Sequence, residues 1–403
     1  MDLDLQTTLA SIRAARERIR PYIRETPTVY SYTFSEASHC DVHLKLENLQ
    51  RTGSFKVRGA LNRILTLSDE QRARGLVAAS AGNHAQGVAL SAQLAGCTAT
   101  IVMPFGTALN KIERTQGYGA EVVLFGENYD QAAAHAREIV ELDGRTMVHP
   151  FDDWEVIHGQ GTVGLEVLEQ VPDVSTVVLP IGGGGLIAGA ALAIKALRPD
   201  VTIIGIQAEG ASPMVQSIQE GEKRVVPSPK TLAEGIRVGR VGDNTYEVVR
   251  RYVDRTLTVT EDEIAGAVVE LMEKNKVVAE AAAVTPVAAI LSGRVRLQGS
   301  VCAVISGGNI DLTLLGRLIE SGLARQGRLG LLRLRMDDRP GQLQVVLDVI
   351  ARLGANVKDV RHDRAGWKVP VGAVEVEVLV ELRSSQDLEQ LYAELGTRGF
   401  DRA

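Results

Sequence analysis

The sequence predicts an α/β protein built on mostly parallel sheets, followed by a small ferredoxin-like sandwich at its carboxyl end. Three observations carry that reading. From residue 76 onward, short continuous apolar runs rich in β-branched residues alternate with amphipathic segments, the pattern of parallel strands covered by helices on both faces. Several of these runs end in turns rich in glycine or asparagine. After about residue 320 the texture changes to strands that alternate apolar and polar residues.

Strands are predicted at 75–80 ("GLVAAS"), 98–103 ("TATIVM") and 121–125 ("EVVLF"), with helices at 84–96 and 129–142 among them. Further strands are predicted at 175–181 ("STVVLPI"), 201–208 ("VTIIGIQA") and 300–306 ("SVCAVIS"), separated by helical patterns. Parallel sheets hold ligands beyond the carboxyl ends of their strands. The turns at 80–84, 182–185 and 306–310 are therefore the places where a site is expected. The polar, glycine-containing stretch 321–328 reads as a link. Beyond it, 329–403 predicts the order β-α-β-β-α: "LLRLRM", a helix opened by Pro340 over "GQLQVVLDVIARLGAN", the strands "VKDVRHDR" (357–364) and "AVEVEVLVELR", and the helix "SQDLEQLYAELGTRG". The sequence stops at "GFDRA", which leaves little room for the last strand usual in this sandwich.

With 403 residues, 45% hydrophobic and 23% charged, the composition is that of a soluble globular protein of two or three domains. A net charge of −6 argues against nucleic acid or an anionic membrane as partner. No run of eighteen apolar residues is present to span a bilayer, and the opening segment, acids first, reads as no signal peptide. The three cysteines, Cys40, Cys97 and Cys302, are odd in number and far apart, so a disulfide framework or structural zinc is not expected and a cytoplasmic setting is.

Four glycines in "IGGGGLIAG" (181–189) follow a strand and open a helix. Glycine lets backbone approach a ligand, and free N–H groups at a helix start attract an anion. Gly182, Gly183, Gly184, Gly185 and Leu186 thus read as a phosphate cradle. Gly183-x-Gly185-x-x-Ala188, with Glu209 ending the next strand, fits a dinucleotide fingerprint equally well, and a plain tight turn is the third reading. In "SAGNHAQG" (80–87), Gly82-Asn83 can turn with positive φ. The stretch reads as a nest for a carboxylate, with Asn83 on a cofactor oxygen, or as a helix start capped by Ser80 or Asn83. His84 is read either as catalytic or as an ordinary helix residue. "SGGN" (306–309) has the same form, and Ser306 can exchange a hydrogen bond with a ring nitrogen. Alone, Lys56 in "TGSFKVRGA" is a surface charge. Desolvation or a cationic neighbour would make it a nucleophile; Phe55 offers an apolar wall and Arg58 such a neighbour. Phosphate, ring and amine sites together are what pyridoxal 5′-phosphate requires.

Taken in order, "ENLQRTGSFKVRGA", "SAGNHAQGVA", "HPFDDWEVIHGQGTVGLEV", "PIGGGGLIAG" and "SGGNID" resemble the threonine/serine dehydratases of the tryptophan-synthase-β type of pyridoxal-phosphate enzymes, across residues 20–320. The resemblance implies a two-lobed fold-type-II catalytic domain over 1–320, with a smaller lobe at roughly 50–150 inserted in the larger. It implies that Lys56 is the Schiff-base lysine, that Phe55 packs by the coenzyme ring, that Asn83 meets the ring hydroxyl and that Ser306 faces the ring nitrogen. Gly182 to Gly185 and Leu186 would hold the phosphate; Ser80, Ala81, Gly82, Asn83 and His84 would hold the substrate carboxylate. The implied reaction is dehydration and deamination of L-threonine, with L-serine second, in a homodimer or homotetramer. "DDRPGQL" and "GANV" are similar to the ligand loop of ACT domains, which implies an amino-acid effector at 329–403. Ala81 stands where the related serine racemases carry an acid/base serine, so elimination is expected over racemisation. Glu209 matches a cation ligand of some relatives, but Val215 occupies the position of a later acidic ligand, and no strong divalent site is expected. Two readings of other classes stand beside this one: a nicotinamide-binding oxidoreductase, and a non-catalytic amino-acid-responsive protein.

Overall fold

In a computed structural model, the chain is described over residues 4–295, 297–363 and 372–403. Residues 1–3 of the opening segment and the end of the strand predicted at 357–364 fall outside these limits. The chain divides into two compact units, one ending at Ile310 and the other beginning at Asp311.

The first unit holds two sheets. The smaller has four parallel strands in the order Glu121–Leu124, Ala99–Met103, Leu76–Ala79, Thr146–Met147. Every residue of its two central strands, "ATIVM" and "LVAA", is buried, as expected where helices cover both faces. The larger sheet runs in the order Thr28–Tyr30, Asp41–Leu46, Ser300–Ile305, Val174–Pro180, Thr202–Ala208, Arg255–Val259. Only its first pair is antiparallel. The strands predicted from apolar runs are all present. Asp41–Leu46 was not anticipated, because "DVHLKL" carries Lys45 and His43 inside a strand that is largely buried. Lys45 is tolerated there because its ammonium meets Glu166 Oε2 at 2.6 Å and the Thr26 carbonyl at 2.6 Å.

Helix Lys56–Leu65 sits between two others, Asn83–Ala95 and Trp154–Gln170. Its Val57, Leu61 and Ile64 are fully buried, a contribution of about 1.5–3 kcal/mol each. The close approach depends on glycine. A Cβ on Gly159 would lie 2.5 Å from the Arg58 carbonyl oxygen, and one on Gly87 3.2 Å from the Lys56 carbonyl carbon. Lys56 is thereby held by backbone packing on both sides.

The second unit begins with helix Leu312–Arg325. The sequence placed residues 321–325 in a link, but the apolar spacing of "LTLLGRLIESGLAR" carries the helix through Gly322 and the turn falls later, at Gly327 with φ 70°. An antiparallel sheet follows in the order Asn356–Asp363, Ala373–Glu381, Leu329–Asp337, Asp401–Arg402. Helices Gln342–Arg352 and Ser385–Gly396 supply Val346, Val349, Ile350, Leu391 and Leu395 to its core. The first of them starts after Pro340, because Gly341 takes a left-handed conformation at its head. The final strand exists in two residues: Asp401 and Arg402 pair with Arg335 and Leu334, and the Arg402 guanidinium lies 4.2 Å from the Tyr392 ring centre.

Candidate active site

Lys56 opens its helix, with Phe55 at the capping position. Its Nζ donates to the Pro150 carbonyl at 2.8 Å and lies 5.3 Å from the Phe55 ring centre. Burial pushes its pKa down to about 8, with Glu280 pulling the other way. The cation expected to assist is not the one at hand. Arg58 points into a cage, its guanidinium bonded to both oxygens of Glu47 at 2.8 Å and to Glu166 at 2.5 and 2.9 Å. Lys45 shares Glu166, so two buried cations balance two buried carboxylates. Arg58 thus anchors the helix, and desolvation alone makes Lys56 a weak base. The reason is geometric: residues two apart on a helix face different directions.

The glycine turn follows strand Val174–Pro180 and leads into helix Gly185–Leu197. Gly184 has φ +99°, which favours glycine, and a Cβ there would come 2.8 Å from Thr245 Cβ. A Cβ on Gly183 would run into the Phe151 ring, and one on Gly185 would lie 2.9 Å from Phe151 Cβ. Thr245 donates to the Gly183 carbonyl at 2.7 Å. Asp152 accepts from the backbone N–H groups of Asp243, Asn244 and Thr245 at 2.8–3.1 Å, fixing the element that supports the turn. The N–H groups of Gly185 and Leu186 belong to the first helical turn, where no helical carbonyl reaches them.

At the end of strand Leu76–Ala79, helix Asn83–Ala95 starts behind Gly82, which has φ −137° and makes no side-chain cap. The positive φ open to Gly82-Asn83 is not adopted, and the alternative reading of a helix start capped by Ser80 or Asn83 is not realised. The Ser80 hydroxyl instead accepts from Gly82 N–H at 3.2 Å. The N–H groups of Asn83 and His84 are left without helical partners, and the dipole end is exposed to any anion beside it. A Cβ on Gly82 would meet nothing within 4 Å, so the turn borders open space; Ala81 beside it brings only a methyl group. The His84 side chain is committed elsewhere, its Nε2 at 2.9 Å from the Val148 carbonyl, which requires Nε2 to carry the proton. Burial pushes its pKa down to about 3, with Lys56 and His149 adding to the fall, so His84 is a neutral group that offers the site its backbone N–H.

Asn83 is held from two sides. Its Nδ2 donates to Glu280 Oε1 at 2.6 Å, and its Oδ1 accepts from Asn309 Nδ2 at 2.8 Å. Burial pushes the Glu280 carboxyl up to about 7; Asn83, Lys111 and Lys56 oppose the rise and Glu234 adds to it. Ser306 is buried, its carbonyl accepts from Phe55 N–H at 3.1 Å, and its hydroxyl bonds to no described residue.

These contacts close into a ring. Lys56 reaches Pro150, and the adjoining Phe151 packs on the glycine turn. Gly182 approaches Ile236, whose neighbour Gly235 approaches Glu280. Glu280 holds Asn83, and Ser306 returns to Phe55. The three predicted turns therefore meet around one amine, although they lie up to 226 residues apart. An anion-binding turn, an amine, a side-chain amide and an unpaired hydroxyl are the partners that a phosphate, an aldehyde, a ring oxygen and a ring nitrogen need, and the donor set fits pyridoxal phosphate.

Glu209 takes none of the contacts of this ring and lies 3.8 Å from Arg294, and Val215 is buried in helix Pro213–Glu220. Among the described residues, no group of three or more His, Cys, Asp or Glu is placed to hold a metal. Sequence reasoning missed Pro150, Phe151, Glu280 and the role of Asn309. The first two sit in a quoted stretch, "HPFDDW", but no rule assigned them a task. Glu280 carried one signal: a lone acid in the apolar run "VVAEAAAV".

A family model for pyridoxal-phosphate dependent enzymes matches residues 19–307. The L-threonine ammonia-lyase of Thermotoga maritima is 46% identical over 395 residues, covering 98% of this chain and 98% of that protein. Among solved structures, the processed form of threonine deaminase isoform 2 from Solanum lycopersicum superposes with a TM-score of 0.76 at 36% identity, covering 78% of this chain and 92% of that one. Maize serine racemase gives 0.75 at 36% identity, covering 79% and 98%.

Proposed function

The chain belongs to the pyridoxal-phosphate dependent enzymes, and from that premise we infer that it is a lyase that converts L-threonine to 2-oxobutanoate and ammonia, with L-serine to pyruvate as a secondary reaction. The observation that carries the reading is a half-buried amine, Lys56, at the meeting point of an anion-binding glycine turn, an oriented asparagine and an unpaired serine. The end-to-end match with an L-threonine ammonia-lyase supports the choice of substrate.

Gly182 to Gly185 and Leu186 would hold the phosphate, Asn83 the ring oxygen and Ser306 the ring nitrogen, while Phe55 would border the ring. Bound coenzyme supplies an electron sink for the pair left at the substrate Cα. Everything else is done by the chain. The backbone N–H groups of Asn83 and His84, at an uncapped helix start, hold the substrate carboxylate, and Ser80 and Ala81 shape the turn beside them. Lys56 Nζ takes the Cα proton from one face; its lowered pKa keeps a usable neutral fraction near neutrality. On the other side, Ala81 has no hydroxyl to return a proton, which favours elimination of the β-hydroxyl over racemisation. The neutral Ser306 hydroxyl would hydrogen-bond the ring nitrogen and, unlike a carboxylate, would not hold a proton there.

The 329–403 sheet unit responds to an amino-acid effector, and the working enzyme is an oligomer. The antiparallel sheet with two helices supports the first part. No helix among the described residues is long and apolar enough to cross a membrane. The test is a keto-acid assay on threonine and serine with coenzyme present. Both substrates give product with threonine preferred, and Lys56→Ala gives none; product from the mutant at the wild-type rate refutes the reading.

A further inference from the structure

We propose that Glu280 is a positioning residue for the coenzyme ring: with Asn309, it locks the Asn83 amide so that one fixed N–H faces the ring hydroxyl, and it ties the two lobes together at that point. The inference rests on the reading of Asn83 given above.

The argument follows donors and acceptors. The Thr52 carbonyl can only accept, so Asn309 must turn its Nδ2 toward it, at 2.7 Å. The same Nδ2 lies 2.8 Å from Asn83, which must therefore present Oδ1. The Asn83 Nδ2 is left facing Glu280 Oε1 at 2.6 Å, so that carboxyl oxygen must accept. The orientation set at Thr52 thus carries through Asn309 and Asn83 to Glu280. Asn83 has two N–H donors, Glu280 takes one, and the other is the only direction left for a ring oxygen. The Glu280 oxygen is itself confined. A Cβ on Gly307 would lie 2.5 Å from it and one on Gly235 3.2 Å, and Glu280 N–H donates to the Gly307 carbonyl at 3.1 Å.

The same bonds cross between lobes. Asn83 begins the helix after a strand of the four-stranded sheet, whereas Gly307 and Asn309 follow strand Ser300–Ile305 of the six-stranded sheet. Lys111, on helix Leu109–Gln116, makes a second crossing to Glu234 at 2.7 Å. Glu280 thus helps both to orient the amide and to join the lobes at this point.

The experiment uses the full chain as wild type, Glu280→Gln, Glu280→Ala, Asn83→Ala and the Glu280→Ala/Asn83→Ala double variant. Pyridoxal phosphate affinity, the visible band of the loaded protein and the unfolding temperature of the unloaded protein are measured. Glu280→Gln keeps an accepting oxygen and stays within about threefold of wild type, with the same band. Glu280→Ala weakens coenzyme binding about tenfold, shifts the band as Asn83→Ala does, and in the double variant adds nothing to Asn83→Ala. If the alanine chain does not fold, Glu280→Asp, whose shorter stem withdraws the oxygen, takes its place with the same expected loss. Wild-type affinity and band in Glu280→Ala, a Gln variant as impaired as Ala, or losses that multiply in the double variant would overturn the proposal. Failure of the wild-type chain to take up coenzyme at all would instead overturn the reading on which it rests.

Discussion

A lysine two residues from an arginine invites the view that one tunes the other. Here burial does the tuning, and Arg58 is bound to Glu47 and Glu166. With its pKa down to about 8, the Lys56 amine of the unloaded protein is about one-tenth neutral at pH 7, against about one part in three thousand for an ordinary lysine at 10.5. The folded pKa lies below the ordinary value, so reactivity rises with pH and levels off above 8. Labelling of the unloaded chain by an amine reagent, read peptide by peptide, should modify Lys56 with a midpoint near 8; a midpoint near 10 contradicts the burial account. Ala81 gives a second prediction. Ala81→Ser places a hydroxyl in the turn beside open space, and chiral analysis should find D-serine formed from L-serine, absent with the wild type. Lys56, Asn83 and Ser306 were legible as candidates because each sits in a turn or motif of distinctive spacing. Glu280 was not, since its meaning comes from Asn83, 197 residues away.

Elements show the same division between local and distant causes. Continuous apolar runs revealed the central strands, and glycine after a strand marked the turns where ligands sit. Strand Asp41–Leu46 was hidden because Lys45 breaks the apolar pattern and is neutralised by a residue 121 positions on. The cage that solves this problem carries a stability prediction. Glu166→Gln leaves Lys45 and Arg58 short of a carboxylate in a site without water access, and should cost about 3–5 kcal/mol by denaturant unfolding. A loss below about 1 kcal/mol would place the pair in the class of weak surface bridges. In the glycine turn, Gly183→Ala drives a methyl group into the Phe151 ring, so the unloaded protein should lose about 1–3 kcal/mol of stability and coenzyme affinity should fall about tenfold. Unchanged affinity would mean that the turn does not hold the phosphate.

On the scale of the whole molecule, the chain forms two compact units. The unit ending at Ile310 contains every candidate site residue, so deletion of residues 329–403 should leave threonine turnover largely intact and remove any response to isoleucine or valine; a response that survives deletion places the effector elsewhere. The order β-α-β-β-α was legible in that second unit, whereas its two-residue last strand was not, because Asp401 and Arg402 become a strand only through pairing with Leu334 and Arg335. The central claim is that three distant turns converge on one lysine that carries the coenzyme. Borohydride reduction of the coenzyme-loaded chain, followed by peptide mass mapping, tests it most directly. The pyridoxyl phosphate adduct is expected on Lys56 in the "TGSFKVR" segment; an adduct on any other lysine, or none, would contradict the account.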